Sequence, residues 1–152
     1  MKLLFSTALI MVLPISTGVS EEKQLTKDTF LEQLQGEWEI ESRVNGGTEW
    51  KPAPSQKAPS MKVKGEKIFL PEGMGKVPCE MQEIAVTEHL ISLTLVSKLG
   101  NRVLRRPALA RLEEGKFTLV VDKFRAQPPE SIDPSKTNLV QIWKRTGNSS
   151  NE

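Results

Sequence analysis

The chain carries one cysteine, Cys79, and one histidine, His89, and no other pair in it could serve as a thiol nucleophile with an imidazole base. Such a dyad needs the two groups within hydrogen-bonding range. Residues 79–87 and 90–99 read as two strands about a turn at Glu88 and His89. That arrangement leaves Cys79 at the far end of its strand, roughly 30 Å from His89. Dyad chemistry is therefore not expected. Closed zinc sites need several cysteines or histidines, and no Asp-x-Asp-x-Asp-Gly loop offers a calcium site. No catalytic residue, no metal and no cofactor is expected. His89 reads as an exposed turn histidine and Cys79 as a buried small hydrophobe.

The remaining polar constellations are carboxylates and guanidiniums. Glu37, Glu39 and Glu41 recur at every second position, the pattern of a solvated strand face, with no cleft to drive their pKa values apart. Gly73 and Gly75 make too short a loop to cradle phosphate, and no helix follows. Arg102, Arg105, Arg106 and Arg111 all fall in one expected strand. Alternation puts Arg105 and Arg111 on one face and Arg102 and Arg106 on the other. Rim or lumen arginines could grip a carboxylate or another anion bidentately. The commoner role is cross-strand pairing with Glu or Asp. If the chain has an anion site, this strand is where it belongs, with Arg105 and Arg111 as its residues.

Compartment follows from residues 1–20. Lys2 is a positive n-region, the apolar run 3–13 an h-region, and Pro14 precedes Gly18-Val19-Ser20, a small-x-small pattern suited to cleavage before Glu21. The run is too short to cross a bilayer. A secreted or periplasmic protein with no stable membrane span after cleavage is expected, and no cysteine follows the h-region for lipid attachment. Removing the signal leaves 132 residues, one domain's worth. A chain this long buries about two-thirds of its unfolded surface without needing disulfides. The lone thiol is free or pairs between chains. The mature chain has 20 Lys and Arg against 19 Asp and Glu, and no Tyr. Without a concentrated basic face and stacking aromatics, nucleic acid is set aside.

One helix opens the mature chain. Thr26 or Asp28 can cap it, Phe30, Leu31 and Leu34 form its apolar stripe, and Gly36 stops it. Everything after Gly36 reads as strand and turn. In residues 37–44, Trp38, Ile40, Ser42 and Val44 share one face. Asn45-Gly46-Gly47 turns the chain, and the prolines of 51–60 make that stretch a surface loop. Runs 61–64 and 67–70 flank Gly65-Glu66, and 71–78 is another loop. Residues 79–87, 90–99, 102–112 and 116–124 follow as successive strands, Phe117, Leu119 and Val121 sharing a face. After a Pro-rich connection at 126–136, residues 138–145 close the fold and 147–152 form a flexible tail. About eight short strands joined by hairpins predict an all-β antiparallel barrel over residues 21–146, whose closure removes exposed edges.

Gly36-Glu37-Trp38 at the start of the first strand, with a basic residue ending the last, resembles the Gly-x-Trp signature of the lipocalin superfamily. Trp38 would plug the closed end, and Arg145 from the final strand would lie over its face, a contact of roughly 0.5–2 kcal/mol. Leu34-Gln35-Gly36-Glu37-Trp38, the hairpin about Glu113-Glu114-Gly115 and the run 139–145 are similar to exported lipocalin-like domains numerous in planctomycete genomes. The hairpin departs from that family in lacking its Tyr and its Asp-Gly-Asp turn. The resemblance implies a lipocalin-like barrel with Gly36, Trp38 and Arg145 as its structural signature. It supplies no activity.

A barrel of this size holds one small ligand when its inward side chains leave room. The expected occupant is a small apolar or amphipathic molecule, or an anionic one, met by Trp38, Arg105, Arg111, Phe117 and Trp143. Were those side chains to fill the interior, the loops 51–60 and 126–136 would instead be the contact surface of a protein-interaction module. A small exported hydrolase is the remaining alternative.

Overall fold

The computed structural model describes residues 25–70, 78–122, 127–133 and 138–146. The stretch 1–20 read as an export signal, the Gly73–Gly75 loop and the stretch 147–152 read as a tail lie outside these.

Helix α1 (Lys27–Leu34) begins in a capping box: Thr26 Oγ1 accepts from Thr29 N, while Thr29 Oγ1 accepts from Thr26 N. Each end of the box satisfies an amide that would otherwise have no partner. The apolar stripe is realised as the fully buried pair Phe30 and Leu34.

The strands are β1 (Gly36–Asn45), β2 (Thr48–Trp50), β3 (Ser60–Lys64), β4 (Lys67–Phe69), β5 (Cys79–Thr87), β6 (Leu90–Leu99), β7 (Arg102–Glu113), β8 (Lys116–Asp122) and β9 (Asn138–Arg145). All pairings are antiparallel, and β1 pairs with β9 as well as with β3, so eight strands close into a lipocalin-like barrel while β2 folds back as a short flap on β1. The fold class expected from the alternation is the one observed.

The two ends of the barrel differ. At the end beside α1, tight turns at Gly65-Glu66, Glu88-His89 and Glu114-Gly115 join the strands. At the opposite end lie the 51–59 and 123–137 connections, the chain between β4 and β5, and the β6–β7 turn at Gly100-Asn101. One end is sealed by α1; the other is the mouth.

Two bulges break the alternation. On β1 the register to β9 steps from Ile40↔Trp143 to Ser42↔Ile142, leaving Glu41 as an extra residue. A one-residue slip turns every later side chain to the other face. Trp38 and Ile40 point inward as expected, but Ser42 and Val44 pair with the outward Ile142 and Val140, and Arg43 takes the inward side opposite Gln141. The sequence expectation of Ser42 and Val44 on the core face is thus corrected. On β5, Glu83 and Ile84 stand between the pairs Gln82↔Thr94 and Ala85↔Ser92, with Glu83 at φ 53°. Glu83 Oε2 accepts from Thr94 Oγ1 at 2.6 Å and Oε1 from Arg105 Nη2 at 2.9 Å, which holds the bulge from the outside.

Candidate functional site

The half of the barrel next to α1 is filled. Phe30, Trp38, Phe117 and Trp143 are all at most 1% exposed. Phe117 sits between Phe30 and Trp38, its ring centroid 6.4 Å from the first and 6.1 Å from the second. Ala108 and Ala110 on β7 give these rings room. Each aromatic removes about 150–250 Å² from water, or about 4–6 kcal/mol of transfer free energy.

The residues of the Leu34–Trp38 signature each have a task there. Trp38 Nε1 donates to Leu34 O at 2.9 Å. Gln35 clips the helix end to the β3–β4 turn: its Nε2 donates to Leu31 O and Gly65 O, and its Oε1 accepts from Gly65 N at 2.7 Å. Arg145 lies over Trp38, with the guanidinium carbon 4.5 Å from the ring centroid. Its Nη1 donates to Gln35 O at 3.0 Å and its Nη2 to Gln33 O. Gly36 adopts φ +112°, and a Cβ there would stand 3.5 Å from Arg145 Nη1. Arg145 thus lies over the Trp38 face, as the two ends of the chain imply. Trp143 differs from Trp38 in one respect: its Nε1 is buried with no hydrogen-bond partner among the described residues.

The half next to the mouth is hollow. A cavity of about 250 Å³ is walled by Met61, Ile68, Leu95, Leu119, Val121 and Leu139 below and by Leu70, Leu99 and Leu104 toward the opening. Its polar lining is Cys79, Ser97, Arg106 and Gln141. Cys79 Sγ and Ser97 Oγ are 2.9 Å apart, so the half-buried thiol shares a hydrogen bond with that hydroxyl. Arg106 reaches the cavity because it pairs with the inward Leu95, and Ser97 pairs with Leu104 on the same face. Arg106 makes no ion pair or hydrogen bond among the described residues. The cavity thus presents an apolar well with one uncommitted guanidinium at its rim.

Of the residues expected to meet a ligand, Trp38, Phe117 and Trp143 belong to the filled half, below the cavity. Arg105 faces outward, bonded to Glu83 and Gln82, and Arg111 faces outward with Nη1 3.7 Å from Glu113 Oε1. Neither lines the cavity. The guanidinium that does is their neighbour on the opposite face. A sequence signal marks it: from Leu104 onward the even positions of β7 read Leu104, Ala108, Ala110 and Leu112, an apolar face, and Arg106 is the charge set between them, while Arg102 stands beyond them at the strand's start.

Cys79 opens β5 at the mouth, whereas His89 sits in the turn closing β5 at the sealed end. No Cys–His dyad forms. Among the described residues no group of three or more His, Cys, Asp or Glu is placed to hold a metal ion, and no helix is long and apolar enough to cross a membrane.

No protein-family model, no curated protein and no solved structure matches this chain.

Proposed function

We propose that this protein is an exported, non-catalytic binding protein for a small amphipathic acid. Its apolar end would occupy the mouth cavity, and its anionic head would meet Arg106. The observation that carries this reading is the uncommitted Arg106 at the rim of a mostly apolar well. Leaving a guanidinium beside such a wall is favourable only while water or an anion solvates it, and a carboxylate matches its two-pronged donor geometry.

Size narrows the class. At about 250 Å³ the cavity falls just under the usual range for ligand pockets, ~300–1,000 Å³. It has the volume of about eight liquid water molecules. A short alkyl chain or one ring fits, with the head group at the opening; a long folded chain or a fused-ring system does not.

The test is calorimetric titration with decanoate, decanol and decyltrimethylammonium, three molecules with one tail and different heads. Decanoate is expected to bind at least tenfold more tightly than the cation. Arg106→Gln should erase that preference while leaving decanol unchanged, and Leu139→Trp, which fills the well, should abolish all three. Decanoate should also slow alkylation of Cys79 from within the cavity. Binding that ignores the head group, or that survives Leu139→Trp, would refute the assignment.

A further inference from the structure

Among the described residues, three of the five exposed large apolar side chains stand together on one hairpin tip: Leu99, Val103 and Leu104, exposed by 49%, 56% and 38%. β7 pairs with β6 from Arg102 to Ala110, but its register with β8 begins only at Ala108↔Val121. Pro107, which has no N–H to give a ladder, marks that limit. Residues 102–107 therefore have a partner strand on one side alone among the described residues.

The tip is also cationic. Lys98, Arg102, Arg105 and Arg106 fall within it, and no aspartate or glutamate occurs between His89 and Glu113. Arg105 is met by Glu83 from β5, while Lys98, Arg102 and Arg106 have no carboxylate partner among the described residues. Among the described residues the other acid beside the tip is Glu80 on β5, which lines one surface cleft with Lys98 without forming an ion pair with it.

We propose that the β6–β7 tip docks this barrel, mouth first, on an anionic lipid bilayer. Apolar side chains occupy both faces of the tip, Leu99 and Leu104 on the cavity side and Val103 on the outside, each beside a basic residue. A protein partner would cover one face and leave the other wet. Immersion in the headgroup layer solvates both, with the apolar groups reaching the acyl boundary and the cations held among the phosphates. Two of the immersed residues, Leu99 and Leu104, line the cavity, so its opening lies against the bilayer. The proposal is independent of what the cavity holds.

Flotation of the mature protein with vesicles tests it. The vesicles are phosphatidylcholine alone, or seven parts phosphatidylcholine to three parts phosphatidylglycerol. The protein should float with the anionic vesicles at about 0.05 M salt, be released at about 0.5 M, and ignore the neutral ones. Lys98→Gln with Arg102→Gln should weaken binding about thirtyfold, roughly fivefold per cation removed. Val103→Asn should weaken it without changing thermal stability. None of these positions lines the cavity, so decanoate binding in the absence of vesicles should persist in all of them. Equal binding to both vesicle types, binding to neither, or indifference to the tip substitutions would overturn the proposal. So would capture of an acidic protein without vesicle binding.

Discussion

Removing the Arg145 side chain should cost this fold about 2–3 kcal/mol. Arg145 donates to two carbonyls at the end of α1, Gln35 O and Gln33 O. A hydrogen bond from a charged donor contributes about 1.5–3 kcal/mol when shielded, and the exposure of this side chain argues for about 1 kcal/mol apiece. Its guanidinium covers the Trp38 ring at 4.5 Å, adding about 0.5–1 kcal/mol at a solvent-facing site. The positive charge also complements the helix C-terminus by about 0.3–1 kcal/mol, a contribution that overlaps the hydrogen bonds and is not simply additive. Urea unfolding of Arg145→Ala, followed by tryptophan fluorescence, should show a lower midpoint at an unchanged slope. Melting should fall by about 6–12 °C for a chain of this length. Arg145→Lys keeps the charge but cannot reach both carbonyls, so it should recover about half of the loss. A cost below about 0.5 kcal/mol, or a lysine variant as stable as the parent, would refute the view that the two-pronged clasp secures the base.

Gly36→Ala should cost about 1–3 kcal/mol through backbone strain at φ +112°, since the added methyl meets Arg145 only at ordinary contact distance; denaturant titration reads this directly. Trp143→Phe should change stability by less than about 1 kcal/mol, because the lost volume is offset by removing a buried N–H without a partner. Trp38→Phe, which breaks the bond to Leu34 O and the contact with Arg145, should cost at least about 2 kcal/mol more in the same assay. Glu83 is held below the usual carboxylate range, first by the Thr94 hydroxyl and then by Arg105. Its folded pKa lies below the unfolded one, so the stability it contributes is present above the unfolded value, ~4.3, and is lost as pH falls through the folded one. Glu83→Gln should flatten the acid limb of a stability-against-pH curve and leave its slope near neutrality unchanged.

The barrel could be read from the sequence wherever a strand keeps its period. Ile91, Leu93 and Leu95, or Phe117, Leu119 and Val121, alternate without interruption and take the core face they imply. The turns were equally plain, because Gly46, Gly65, Gly100 and Gly115 supply the positive φ that tight connections need. The bulges were not. Neither Glu41 nor Glu83 is a residue that announces a bulge, and Glu83 is kept at φ 53° by groups from β6 and β7 that only the assembled sheet brings together. At the sealed end the contact of Arg145 with Trp38 is legible, since it follows from the two ends of one signature, whereas Trp38, Phe117 and Trp143 fill the base where the sequence had them meet a ligand. The cavity was not legible, because an arginine's parity says which face it shares but not which face is inside. The apolar even positions of β7 hold that answer, and they point to Arg106 rather than to Arg105 or Arg111.

β1 is the strand that meets both its sequence neighbours and the last strand of the chain. The hairpins from β3 to β8 are local contacts, free to form early, whereas the β1–β9 seam joins Trp38 to Arg145 across nearly the whole described chain. Closing a loop of that length costs about 4 kcal/mol of chain entropy before the seam returns anything. Cylinder closure is therefore the late, non-local event in folding. The clasp of Arg145 on the helix end acts after that event. Its loss should leave the rate of folding almost untouched and speed the opening of the finished barrel.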